Sequence, residues 1–255
     1  MKTNRYGVWG VAGLLVLAFG SLTVMAASNS GDARIQAVAQ DKLFHARVGD
    51  NVAVRVEEGV ATLDGAVDSI GQKERAVKEV WKVGGVTQIT DKLRVEAAGA
   101  DDNLILNEAS RRIRRYAFYS IFDNVELLSK DGMVVLKGQV TQPWRRADIA
   151  RLVEMVPGVR GLENSLEVLP VSPFDDQIRL RVARAIYREP GLSRYGIQAN
   201  PPIHIVVKNG NVMLTGVVNN AVEKALAERA ARFAATYFGL ENKLLVETEM
   251  NRARS

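Results

Sequence analysis

A threefold internal repeat constrains this chain more than any other feature. Glu58-Gly59-Val60-Ala61-Thr62-Leu63-Asp64-Gly65 is matched by Asp131-Gly132-Met133-Val134-Val135-Leu136-Lys137-Gly138 and by Asn209-Gly210-Asn211-Val212-Met213-Leu214-Thr215-Gly216, at offsets of 73 and 78 residues. Two glycine columns, six residues apart, coincide in all three copies. A chain built this way folds as a row of like modules, each with its own small core.

The periodicities within a copy give its elements. Ile35, Val38, Ala39 and Leu43 recur at helical spacing, as do Ile105, Ala109, Ile113 and Tyr116, and Ile178, Val182, Ala185 and Ile186. Asp32, Asp102, and Asp175 with Asp176 precede these stripes and are expected to cap the helices. Val52, Val54 and Val56 alternate as a strand does, as do Val125 and Leu127, and Ile203, Ile205 and Val207. The turns Glu58-Gly59, Asp131-Gly132 and Asn209-Gly210 fit two-residue hairpins. A second helix is expected after Asp68, Thr141 and Asn219, which share one aligned column of N-cap residues. A closing strand carries Leu93 and Val95, Leu166 and Val168, and Leu244 and Val246. Its return through a helix requires parallel pairing. The predicted fold class is α+β, three tandem α-β-β-α-β modules, each a three-stranded mixed sheet packed against two helices. The expected boundaries are 32–96, 101–169 and a divergent 174–248.

The first 26 residues read differently. Lys2 and Arg5 precede an apolar run from Val8 to about Val24, and Val24-Met25-Ala26 fits a cleavage site. That is the pattern of a secretory signal peptide, or of a retained N-terminal anchor if cleavage fails. Both readings export the remainder. The net charge is +5, distributed as +2, −1, 0 and +4 over residues 1–26, 27–99, 100–171 and 172–255. The exported part is only mildly basic, which argues against nucleic acid as a partner. With no cysteine, a disulfide scaffold, a Cys-ligated zinc site and a thiol nucleophile are excluded. His45 and His204 lack ligand spacing. No nucleophile elbow, phosphate loop or HExxH helix occurs, so no enzyme activity and no cofactor are expected.

The pattern resembles the BON module of bacterial envelope proteins. The resemblance rests on the two-glycine hairpin and on the endings Gly85-Val86…Leu93-Arg94-Val95 and Gly158-Val159…Leu166-Glu167-Val168. The third copy departs from it, with Thr236-Tyr237 for Gly-Val and a longer loop containing Pro190, Pro201 and Pro202. The chain looks like an osmotically induced periplasmic protein with an extra module. The resemblance implies a non-enzymatic role, a periplasmic location peripheral to or anchored in the inner membrane, and association with phospholipid or envelope surfaces.

Two stretches suit such a surface. Arg111, Arg112, Arg114 and Arg115 precede Tyr116, Phe118 and Tyr119, so a basic helix ends in aromatics. Arginine forks bind phosphate, and aromatic side chains favour the membrane boundary. Trp144, Arg145 and Arg146 open the second helix of the same copy. Two arginines there oppose the helix dipole, unless they and the helix end receive a phosphate. The other reading of both stretches is a solvated basic face with core aromatics. Arg179, Arg181, Arg184 and Arg188 are read as solvated or as interdomain pairs. The expected partner is an anionic phospholipid surface. The alternative is a chaperone-like or scaffolding role toward envelope proteins, using exposed module edges or apolar patches.

Overall fold

The computed structural model describes residues 30–48, 50–96 and 101–249. The segment read from the sequence as an export signal and the 97–100 linker lie outside them. The first module comprises α1 (Ser30–His45), β1 (Val52–Glu57), β2 (Val60–Val67), α2 (Ile70–Trp81) and β3 (Gln88–Val95). The second comprises α3 (Asp102–Arg115), β4 (Asn124–Lys130), β5 (Met133–Val140), α4 (Pro143–Glu154) and β6 (Gly161–Val168). The third comprises α5 (Pro173–Arg188), α6 (Ser193–Gly196), β7 (Ile203–Lys208), β8 (Asn211–Val218), α7 (Ala221–Arg232), β9 (Gly239–Asn242) and β10 (Leu245–Val246). Strands one and two of each module are antiparallel and the last strand is parallel. This is the α+β class expected from the repeat. The third module differs in detail. Its closing strand is broken into β9 and β10, and both pair with β8 in the register used by the other modules. Its longer loop forms α6, which places Leu192 and Tyr195 in the core.

Three separate cores result, each formed by helix stripes against one sheet face. Glu58, Asp131 and Asn209 all have φ near +50°, and the glycine after each is also positive, as a two-residue hairpin requires. The second glycine column has another cause. A Cβ on Gly65, Gly138 or Gly216 would lie 1.9, 2.1 or 1.9 Å from the carbonyl oxygen of Asn51, Asn124 or Pro202. The adjoining strand passes too close there for any side chain.

The repeated aspartate is not a cap. Asp32 accepts the turn N–H groups of Glu58 and Gly59 at 2.9 and 3.2 Å. Asp102 accepts those of Asp131 and Gly132 at 2.8 and 3.1 Å, and Asp175 those of Asn209 and Gly210 at 2.9 and 2.8 Å. Each first helix is thereby fastened to its own hairpin tip. Capping falls one or more residues earlier, to Asp101 and Ser172. In the second helices it falls one residue later than the aligned column, to Ser69 and Asn220, while Gln142 caps nothing with its side chain. Arg179 is also not solvated. It is 4% exposed, pairs with Asp176 and donates to the carbonyl of Val207 at 2.6 Å.

Main-chain hydrogen bonds join the modules. Between the first and second, Ile70 N–H donates to Val159 O and Gly158 N–H to Asp68 O, both at 2.8 Å. Gly71 has no room for a Cβ, which would lie 2.7 Å from Met155 Sδ and 2.9 Å from the Glu154 carbonyl. Between the second and third, Ile205 N–H donates to Ile121 O at 2.7 Å, and Ile121 and Phe122 pack on the third core.

Candidate functional site

Helix α3 ends where Tyr116 turns extended (ψ 116°), its N–H still donating to Ile113 O at 3.0 Å. The extended chain throws Phe118 across to the start of α4, which opens on Pro143 at its first helical position. Phe118 meets Trp144 edge to face, centroids 5.2 Å apart at 89°, and Tyr116 at 5.7 Å. Phe118 is 58% and Trp144 43% exposed. Tyr116 anchors the group by donating to Asp148 Oδ2 at 2.5 Å. Burial first, and then that bond, push its phenol up to about 12. Tyr116 and Phe118 at the end of one helix and Trp144 at the start of another thus form one small apolar step on the surface.

The arginines divide. Arg114 and Arg115, the last residues of α3, are exposed and have no ion-pair partner among the described residues. Arg146 is exposed and donates to Asn164 O at 3.0 Å. Arg111 is exposed but paired with Glu108. Arg112 is held by Glu108 at 2.7 Å and by the Met155 carbonyl at 2.8 Å, where it closes the C-terminal end of α4.

Arg145 and Tyr119 leave the candidate surface. Arg145 lies 5.2 Å from the Trp144 ring centroid, but its guanidinium turns inward. It donates to Asp123 Oδ2 and Thr141 Oγ1 at 2.7 Å and to Ser120 Oγ at 3.2 Å. Asp123 is fully buried and also accepts from Thr141 N–H at 2.8 Å and Ser120 N–H at 3.0 Å. The anion that Arg145 meets at the start of α4 is therefore the protein's own carboxylate. Asp123 holds Thr141, two residues before α4, and neutralises Arg145. No phosphate is needed there. Tyr119 points to the third module, its ring 5.4 Å from that of His204. Burial first, then the charge of Asp123, raise its phenol above the ordinary tyrosine range. His204 Nδ1 lies 2.6 Å from the Asp123 carbonyl, and burial holds its imidazole below the usual value. Asp123 was not singled out by sequence because a lone aspartate before a strand carries no local signal. The remaining surface is Phe118 and Trp144, with Arg114, Arg115 and Arg146 beside them in sequence. Among the described residues no cluster of His, Cys, Asp or Glu has the makings of a metal site.

Three repeated α-β-β-α-β units with stapled hairpins define an array of BON modules. The BON domain matches residues 31–97, 119–170 and 174–244, and the chain belongs to that family. One similar protein is osmotically-inducible protein Y of Escherichia coli (strain K12), 29% identical over 124 residues. That alignment covers 46% of this chain and 61% of the relative's length. Two solved structures of CdsD, a structural protein of the type III secretion system of Chlamydia trachomatis, also align. The first shares 16% identity over 84% of this chain and 96% of that chain, with a TM-score of 0.23. The second, a C-terminal domain, shares 17% over 85% and 96%, with a TM-score of 0.24. Likeness at those TM-scores decides nothing about fold or role.

Proposed function

We propose that this chain is a non-enzymatic, exported envelope protein that docks on anionic phospholipid through its second module and contributes to osmotic stress tolerance. The observation that carries the reading is the exposed Phe118–Trp144 pair with three exposed arginines close to it in sequence. The aromatic step enters the headgroup boundary while Arg114, Arg115 and Arg146 meet phosphate. Family membership and the osmotically inducible relative support a stress-related envelope role, with the periplasm as the location. At about 1 kcal/mol per basic group near an anionic surface, three arginines contribute on the order of 3 kcal/mol at low salt. That amounts to roughly a hundredfold in affinity.

The test is co-sedimentation of the chain from residue 27 with anionic and neutral vesicles at low and high salt. Binding is expected only to anionic vesicles and is expected to weaken with salt. Replacing Arg114 and Arg115 with Ser weakens it by about 2 kcal/mol, roughly thirtyfold. Phe118→Ser with Trp144→Ser weakens it at every salt concentration. Equal binding to neutral vesicles, or indifference to both pairs of substitutions, refutes the reading and favours the protein-interaction role.

A further inference from the structure

The outward edge of the first strand is closed in two modules and open in one. In the first module, Gln36 and Gln40 on α1 reach over that edge. Their amide oxygens accept Val56 N–H and Val54 N–H at 3.1 and 3.2 Å, and Gln40 donates to Val52 O at 3.0 Å. In the third, Arg179 and Tyr187 on α5 donate to Val207 O and Ile203 O at 2.6 and 2.5 Å, and Ile205 N–H is taken by Ile121. In the second module the columns of Gln36 and Gln40 hold Leu106 and Ser110, which cannot make these bonds. Lys130 and Met133 close the hairpin, so Leu127 and Ser129 present their N–H and C=O groups outward. Among the described residues nothing pairs with the Leu127 and Ser129 N–H groups. Tyr119 meets this edge at Val125, near the start of the strand. An edge left open where its sister modules close theirs is a place for another strand.

We propose that β4 pairs antiparallel with β4 of a second copy, about a two-fold axis at Leu128. In that register Leu127 lies opposite the partner's Ser129. Both present N–H and C=O outward, so each of the two symmetric pairs exchanges two hydrogen bonds. On the exposed face Glu126 lies opposite the partner's Lys130, twice, and opposite charges at directly facing positions stabilise a sheet. Leu128, 55% exposed, lies against its own symmetry mate beside half-buried Val135. A shift of register by two residues loses both charge pairs. The two three-stranded sheets become one of six, with both sets of helices on the same face.

The absence of cysteine makes a direct test available in the full chain. Leu128 and its symmetry mate form a non-hydrogen-bonded pair, with Cα atoms about 4.5 Å apart. Leu128→Cys treated with diamide, which takes up the two thiol hydrogens, is expected to give a covalent dimer on a non-reducing gel. Lys130→Cys, facing Glu126 instead of itself, is not. Adding Glu126→Lys to Leu128→Cys sets like charges opposite each other and cuts the cross-linked fraction about tenfold. Adding Lys130→Glu as well restores it. These positions are exposed, so folding is retained, which circular dichroism verifies. No dimer from Leu128→Cys, equal cross-linking from Lys130→Cys, cross-linking to a different protein, or a yield indifferent to charge reversal overturns the proposal.

Discussion

Arg145→Met separates a structural arginine from a lipid-binding one. The side chain is 16% exposed and its partner Asp123 is fully inaccessible. Its guanidinium makes three bonds through one nitrogen, to Asp123, Thr141 and Ser120. Methionine fills most of the volume but leaves the carboxylate buried without its counter-charge. Breaking a buried ion pair from one side costs roughly 3–5 kcal/mol. Asp123 keeps four other donors, two main-chain N–H groups and the hydroxyls of Ser120 and Thr141, which sets the loss near the lower end. About 3 kcal/mol in a cooperative unit the size of the second and third modules lowers Tm by roughly 6–12 °C. Thermal unfolding followed by circular dichroism measures this, and vesicle binding is assayed well below the transition. The expected outcome is a large loss of stability with unchanged affinity of the folded protein. A variant as stable as the parent but weakened on vesicles refutes the assignment of Arg145 to the fold.

Two further perturbations follow from the same geometry. Burial holds His204 below 6.5, so as pH falls through 6.5 the unfolded chain takes up a proton that the folded chain refuses, and stability declines. His204→Gln removes that part of the decline, and a Tm–pH profile identical to the parent's contradicts the assignment. Gly138→Ala places a Cβ 2.1 Å from the Asn124 carbonyl at φ +114° and is expected to cost more than about 3 kcal/mol in denaturant melts. Gly84→Ala, with nothing within 4 Å, stays within about 0.5 kcal/mol.

The fold was legible because its determinants are local or periodic. Glycine columns mark turns and close approaches, and the spacing of Ile105, Ala109 and Ile113 marks a helix face, whatever lies across the core. The caps were displaced by one residue because Asp68-Ser69 and Asn219-Asn220 each place two competent caps side by side, and only the entry angle of the chain chooses between them. The repeated aspartate was misassigned for a different reason. Asp102 stands in the first turn of a helix, where a carboxylate ordinarily serves the helix end, yet it accepts from turn amides 29 and 30 residues away. The candidate surface divided in the same manner. Phe118 and Trp144 are brought together by helix ends that sequence places well. The inward path of Arg145 depends on Asp123, 22 residues earlier, and that of Tyr119 on a histidine in the next module. Contacts that cross modules leave no periodicity to read.

The seam between the first two modules also bears on how such arrays diverge over evolutionary time. Its two hydrogen bonds run between peptide groups of Asp68, Ile70, Gly158 and Val159, so they survive most exchanges of the side chains around them. Substitutions can accumulate on either module without changing the angle at which one follows the other. Gly71 and Gly158 are exceptions: any side chain at 71 meets Met155 and the Glu154 carbonyl, and Gly158, which donates one of the two bonds, sits at φ +91°. Two codons therefore weigh on the joint more than the rest, and a duplicated module that loses either glycine is free to adopt another orientation.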